Sequence, residues 1–375
     1  MAVSVFPSSS ASASGEVTTY YGLAESGTYT VDLPAGVYDL TSSKEVTIGG
    51  LDVNGTASLQ LFSSGIDSLF LSRLFDPAAT WTSRTSGFGA LGINGVTYGD
   101  GLYVAFGSAG TMTTSTDGIT WTTRTSGFES GINGVTYANG LYLAVGAPGK
   151  LTTSPDGITW TTQTLGLGNT TVYGVTYGDG LYVVVAGYGK LATSPDGITW
   201  TTRTSGFGTA TISGVTYGDG VFVAVSSAGT MTTSTDGITW TTRTSGFGTG
   251  IIFAVTYGNG LYIAVGNTGV LTTSTDGITW TTRTSGFGTT AIYSVTYGDG
   301  LYVAGGASGK LTTSPDGITW TTRTSGFGTG IIYGVTHGNG PYVAAGGEGK
   351  LTTLDPVANS AVIAITPKTP SILLP

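Results

Sequence analysis

The sequence predicts an all-β fold: seven repeated units of four strands each, closed into a ring. Three observations predict it. The first is composition. Of 375 residues only 9% are charged, 64 are Gly and three are Met, whereas globular chains usually carry about a quarter charged residues. That profile fits many short strands joined by tight turns. The second is an internal repeat. Seven tryptophans (Trp81, Trp121, Trp160, Trp200, Trp240, Trp280 and Trp320) recur at spacings of 40, 39, 40, 40, 40 and 40. A second marker, "GVTY" and its variants, is centred on Thr97, Thr136, Thr176, Thr216, Thr256, Thr296 and Thr336. The third is the way the array ends. The last unit, "GVTHGNGPYVAAGGEGKLTTLDP", stops without a Trp strand, and the first Trp strand, "ATWTSRTSGFG", has no unit before it. Joined, the two make one complete unit. The prediction is a seven-bladed β-propeller whose last blade is closed by an N-terminal outer strand, so that no free edge remains.

One unit reads "GVTYGDGLYVVVAGYGKLATSPDGITWTTRTSGFG" from Gly174. Strand A is "SGVTY" or its equivalent. The "GDG" or "GNG" that follows is a two-residue hairpin turn, because both central positions need positive φ. Strand B, "LYVAV", is too continuously apolar for a half-exposed strand and is expected to be buried on both faces. A small turn such as "GAPG" leads to strand C, "KLTTS". A "PDG" or "TDG" turn then leads to strand D, "ITWTTRT".

The flanks differ from the ring. Residues 1–19 are rich in Ser and Ala and are read as an extended segment. Residues 20–74 alternate as strands ("TYTVDL", "VYDLT", "EVTIGG", "SLQLF") with "PAG" and "NG" turns, and are read as a small anchoring β module. The propeller is assigned to 75–355. Residues 356–375 form one more strand and a Pro-rich end, expected to pack near the N-terminal module. The N-terminus lacks the basic start and long apolar run of a signal peptide, and no apolar run approaches the ~18 residues that span a bilayer. The expectation is a chain soluble as made, without membrane insertion.

The segment "SPDGITW", from Ser154 through Asp156 and Gly157 to Trp160, resembles the Asp-box, or BNR, repeat of sialidase-like propellers, with the usual S-x-D-x-G-x-x-W spacing shortened by one residue. The resemblance covers about residues 75–355. It implies a structural role, away from the active face, for Asp117, Asp156, Asp196, Asp236, Asp276 and Asp316 and for the seven tryptophans. The chemistry agrees: a turn Asp accepts hydrogen bonds from nearby backbone N–H groups, and Trp covers a junction with a large apolar body.

The same resemblance implies, for an active sialidase, an arginine triad, a Tyr–Glu nucleophile pair and an acid/base Asp. The residues argue against that. Arg84, Arg124, Arg203, Arg243, Arg283 and Arg323 all stand three residues after a Trp on outer strand D, where they cannot converge on one carboxylate; Arg73 lies before the ring. Within the ring the only Glu residues are Glu129 and Glu348, and a glycosidase needs two carboxyl groups about 5–10 Å apart. His337, in place of a strand-A Tyr, has no accompanying nucleophile motif. Asp100, Asp179, Asp219 and Asp299 are explained by their turns. No enzyme, no metal and no cofactor are expected. With no Cys, one His and a net charge of −8, Cys- and His-based metal sites and nucleic-acid binding are disfavoured.

Binding is expected on one face only. The "GDG" turns and Asp turns share a nearly uniform face. The B–C tips and D–A loops share a variable one, which carries Phe88, Phe128, Phe207, Phe247, Phe287 and Phe327 and Lys150, Lys190, Lys310 and Lys350. The phenylalanines could stack on a ligand or plug the gap between blades. The opening "MAVSVFPSSSASASG" and the short β module resemble the start of phage fibre and minor tail proteins, over under a fifth of the chain. Together with the near-identical repeats, this implies a non-enzymatic structural protein of a virus particle: a fibre, spike or decoration component. Its expected partners are other virion proteins (through the N-terminal module and C-terminal tail), host surface glycans, and further copies of itself. The alternative is a free carbohydrate-binding propeller, a lectin or adhesin, outside a cell or on its surface. A glycoside hydrolase ranks last.

Overall fold

The structure, a computed structural model, describes Thr80–Leu354 in full and, outside that span, the backbone of individual strands. The chain divides into two units. One holds Thr80–Leu354, and the other Met1–Ala79 with Asp355–Pro375.

The first unit consists of seven four-stranded antiparallel sheets, the blades of a seven-bladed β-propeller. We number the blades by their innermost strand A: Ile93–Gly99, Ile132–Ala138, Val172–Gly178, Ile212–Gly218, Ile252–Gly258, Ile292–Gly298 and Ile332–His337. In blades 1–6 the chain runs outward through A, B, C and D in sequence order. Blade 7 is closed by the strand that precedes blade 1. Trp81–Arg84 pairs antiparallel with Leu351–Leu354, with Leu354 opposite Trp81 and Leu351 opposite Arg84. This is the seam predicted from the two incomplete ends of the array.

Burial follows the strand order. In blade 3 strand B, Leu181–Ala186, is buried from Tyr182 onward, and strand C, Lys190–Ser194, from Leu191 onward. The outer strand Thr201–Thr204 is mostly exposed. The core is therefore not central. It lies between neighbouring blades, as in the cluster of Ile263, Val265 and Leu271 from blade 5 with Ile292, Val295, Tyr302 and Ala304 from blade 6.

The "GDG" turns take the expected form. Asp100, Asn139, Asp179, Asp219, Asn259 and Asp299 have φ between 42° and 50°, and each is followed by a positive-φ Gly. Blade 7 departs from this: Asn339 and Gly340 are absent from the positive-φ set. Pro341 stands where the other blades have Leu or Val, and Pro has no N–H to close the first ladder pair. The pairing of blade 7 accordingly begins one step later, at His337 and Tyr342.

Strand D is shorter than its sequence suggested. It begins after the Trp in blades 1–6, at Thr122 and Thr161 in the first two. The N–H groups of Ile and Thr just before the Trp are taken by the turn Asp (described below), so they cannot enter a ladder. Blade 7 shows the converse. In the sequence Pro77, not Asp, stands four residues before Trp81, and Trp81 is itself the first residue of its strand.

In the second unit, strands Val3–Ser4, Gly27–Asp32, Thr56–Leu61 and Val46–Leu51 form one sheet, and Thr18–Tyr21, Ser68–Leu74, Val37–Ser42 and Ala364–Pro367 form another. Ala364–Pro367 runs parallel to Val37–Ser42, with Ala364 opposite Asp39. Most of the segment 1–19 and the chain after 367 lie outside the described residues.

Candidate functional site: the mouth of the ring

Each Asp turn is a closed hydrogen-bond unit. Asp236 Oδ1 accepts from the backbone N–H of Ile238 (2.8 Å) and Thr239 (2.7 Å) and from the Ser234 hydroxyl (2.8 Å). Trp240 Nε1–H then donates to the Gly237 carbonyl at 3.1 Å. The same unit recurs at Asp117, Asp156, Asp196, Asp276 and Asp316. Backbone donors at Thr239 and Ile238 hold the Asp236 carboxyl down at about 2, and the equivalent donors hold Asp156 and Asp276 at about 2. One carboxylate oxygen of each is thus taken up in making the turn. In the seventh blade Leu354 replaces the Ser, and Trp81 Nε1 is buried without a hydrogen-bond partner among the described residues.

The other residues singled out in the sequence are also occupied. Each outer arginine lies along strand C: Arg124 Nε donates to Thr114 Oγ1 at 2.8 Å and Arg84 Nε to Thr353 Oγ1 at 2.9 Å. Lys190 Nζ donates to the Leu167 carbonyl (3.0 Å) and Thr170 Oγ1 (2.8 Å). Lys310 repeats this on Phe287 and Thr290. Lys150 lies 5.6 Å from the centre of the Phe128 ring, and Lys350 Nζ donates to the Phe327 carbonyl at 3.4 Å while lying 3.4 Å from Glu348. These lysines tie strand C to the preceding D–A loop.

Of the two roles the sequence left open for the loop phenylalanines, ligand stacking is corrected and the plug between blades is the one observed. Phe88, Phe128, Phe207, Phe247, Phe287 and Phe327 are 0–8% exposed. Phe287 belongs to the core cluster between blades 5 and 6. A ring removed from water in this way cannot stack on a ligand. The turn that buries it is built by a Ser two residues earlier: Ser285 Oγ–H donates to the Gly269 carbonyl (2.7 Å) and accepts from Phe287 N–H (3.2 Å). His337 Nε2 lies 3.5 Å from Asp299 Oδ2, with its ring 4.3 Å from that of Tyr342. Among the described residues no three His, Cys, Asp or Glu side chains are grouped to hold a metal.

The sequence reading missed the residues that line the mouth of the ring. On the face of the B–C tips and D–A loops, a cavity of about 450 Å³ is lined by Asn94, Asn133, Tyr173, Ser213, Phe253, Tyr293 and Tyr333, with Thr211, Ser227 and Ile251 above them. The first seven occupy one equivalent position, one per blade, immediately after the Ile or Val that opens strand A. In every blade the A–B register slips at this residue: Ile132 pairs with Gly146 but Gly134 with Val145, which leaves Asn133 as the extra residue. Such a β-bulge re-aims one side chain out of the sheet. The following position is Gly in five blades, because the inner strands crowd there; a Cβ on Gly334 would lie 2.7 Å from Gly95 Cα.

The lining has two contrasting arcs. Blades 5, 6 and 7 supply Phe253, Tyr293 and Tyr333, with ring centres 4.8 and 5.5 Å apart. The next two blades around the closed ring supply Asn94 and Asn133. Each donates through Nδ2 to the neighbouring blade, to the Ile132 and Val172 carbonyls, both at 2.9 Å. Tyr173 and Tyr333 remain 39% and 36% exposed. The lining holds no carboxylate, imidazole, amine or guanidinium. The signal was present in the sequence: this position reads N, N, Y, S, F, Y, Y from blade 1 to blade 7, inside an otherwise uniform strand.

Comparison with known proteins finds the fold in unrelated settings. No protein-family profile matches the chain, and no curated protein matches it by sequence. Among solved structures it is similar to virginiamycin B lyase from Staphylococcus aureus (14% identity, 74% of this chain and 99% of that one, TM-score 0.67). It is also similar to YCF48 bound to a D1 peptide (16%, 76% and 96%, 0.61). A third is the WD40 propeller domain of Doa1 (14%, 73% and 96%, 0.60). Identities this low establish the propeller and nothing about its use.

Proposed function

We propose that this protein is a non-catalytic binding propeller, carried on a virus particle by the unit formed from residues 1–79 and 355–375. The observation that carries the binding reading is the mouth: half-exposed aromatic rings and amides around one cavity, with no acid–base pair among them. General acid–base chemistry needs a positioned proton donor or acceptor, and the lining offers no carboxylate, imidazole or amine for that role. The Asp turns, read as Asp-boxes, belong to the scaffold. The likeness to YCF48, which is solved with a peptide, is consistent with a propeller that serves as a recognition surface. The virion assignment rests on the resemblance of the N-terminal region to phage fibre and minor tail proteins and on the near-identical repeats.

Mass spectrometry of purified virus particles from the source culture tests it. Stoichiometric presence of the chain is the expected result. Its absence from particles, with the protein found free or on cell surfaces, would overturn the virion assignment. The second reading, a free lectin or adhesin, is favoured by the same aromatic mouth and would then take its place.

A further inference from the structure

We propose that the mouth binds the terminal residue of a neutral glycan, one per ring, along the propeller axis. The inference deepens the binding reading above and rests on it. The first argument is chemical match. A pyranose presents an apolar C–H face and a rim of hydroxyls. The mouth presents Phe253, Tyr293 and Tyr333 on consecutive blades, and Asn94 and Asn133 on the two that follow. Each amide is fixed by donating one N–H to a neighbouring carbonyl, so it meets a ligand already oriented. Its second N–H and its carbonyl oxygen have no protein partner among the described residues, and both suit a sugar hydroxyl.

The second argument is charge. An acidic sugar needs a cation, and the lining has none. The lysines of this face are turned to the D–A loops, and the arginines lie on the outer strands. Neutral ligands are therefore selected. The third argument is asymmetry. The sevenfold ring would otherwise offer seven equivalent sites. The bulge position breaks that symmetry, giving one aromatic arc and one amide arc, hence one site.

An independent observation points to the same face. Tyr188, at the B–C tip of blade 3, is 73% exposed and held at φ 56°. That backbone conformation belongs to the tip turn itself, since Ala109, Thr268, Ser308 and Glu348 take φ of 53–56° at the same place in blades 1, 5, 6 and 7; what sets blade 3 apart is the exposed aromatic ring it carries there. Tyr173 belongs to the same blade. We assign Tyr188 as an outer contact for the second sugar of a chain.

The test uses the full chain on a glycan array carrying neutral, sialylated and sulfated oligosaccharides, followed by calorimetry with the best neutral hit. Expected are binding to neutral glycans only, one site per chain, and a loss of at least tenfold for Tyr333→Ala and Phe253→Ala with unchanged melting temperature. Tyr333→Phe should retain most of the affinity, because stacking survives. Binding that is indifferent to both alanine variants would overturn the proposal, as would seven sites per chain, a preference for acidic glycans, or capture of peptides and no glycan. If the chain is found on particles and attaches them to cells while no glycan is bound, the binding-propeller reading stands and the glycan inference falls.

Discussion

Blade 4 lacks a fastener that its neighbours have, and restoring it should stabilise the ring. In five other blades the strand-B Tyr hydroxyl donates to a backbone carbonyl at the first hairpin turn of the preceding blade. Tyr302 reaches the Gly258 carbonyl at 2.5 Å, Tyr182 the Ala138 carbonyl at 2.6 Å, and Tyr142, Tyr262 and Tyr342 the Gly99, Gly218 and Gly298 carbonyls. Tyr103 closes the ring on the Pro341 carbonyl at 2.9 Å. Blade 4 has Phe222, fully buried at the equivalent position, its ring tilted against that of Tyr217 with centres 4.6 Å apart. Phe222→Tyr adds one hydroxyl in a place that six blades already accommodate, with the Gly178 carbonyl as its acceptor. A buried neutral hydrogen bond nets about 0.5–1.5 kcal/mol. For a unit of this size each kcal/mol moves the melting temperature by about 2–4 °C, so a rise of about 1–6 °C is expected. Tyr302→Phe should lower stability by about 1–2 kcal/mol, since it leaves a carbonyl without its second donor. Calorimetry and urea unfolding with an unchanged m-value read both variants. If Phe222→Tyr is destabilising while Tyr302→Phe is neutral, the hydroxyls are not holding neighbouring blades together.

Three further outcomes follow from the same geometry. Thr113, Thr152, Thr232, Thr272, Thr312 and Thr352 have buried hydroxyl oxygens with no hydrogen-bond partner among the described residues, and blade 3 has Ala192 at that position. Thr232→Val should therefore stabilise by up to about 1 kcal/mol in urea unfolding, because it removes an unpaired buried polar group. Phe287→Ala, which empties a fully buried ring site between two blades, should cost about 3–5 kcal/mol by the same assay. The turn aspartates set the acid limit. Their carboxyls are depressed from an ordinary 3.8 to about 2 at Asp156, Asp236 and Asp276. A depressed carboxylate contributes stability that is whole above its unfolded value and is lost as pH falls through its folded one. The ring should hold at pH 4 and lose stability progressively between pH 4 and 2. Combined Asp156→Asn, Asp236→Asn and Asp276→Asn should flatten that dependence, measured as melting temperature against pH.

Much of this protein is decided by local rules written once per repeat. Positive φ at two successive residues requires Asn or Asp and then Gly, so Asp179–Gly180 could be read as a hairpin turn directly. A continuous apolar run such as "LYVVV" has only a doubly buried strand open to it. Two incomplete ends of one array leave only closure by Trp81–Arg84 to satisfy the last edge. Blade number and strand order follow from rules that concern a few neighbouring residues, and the seam follows from counting the repeats, although it pairs strands at the two ends of the array.

The tertiary structure decided what depends on the space between blades. Phe287 lies in the loop between strand D of blade 5 and strand A of blade 6, Asn133 is the second residue of strand A in blade 2, and the sequence alone does not say which of the two faces a ligand. Only the packed ring shows that the Ser285 turn carries Phe287 into the core, while the bulge turns Asn133 to the axis. A bulge is a mismatch between two strands, and it appears only once both strands are paired. The hydroxyl of Tyr302 is in the same position: its acceptor is 44 residues away and becomes its neighbour only when the ring closes. The scaffold is thus legible residue by residue, whereas the mouth is created by seven blades meeting at one axis.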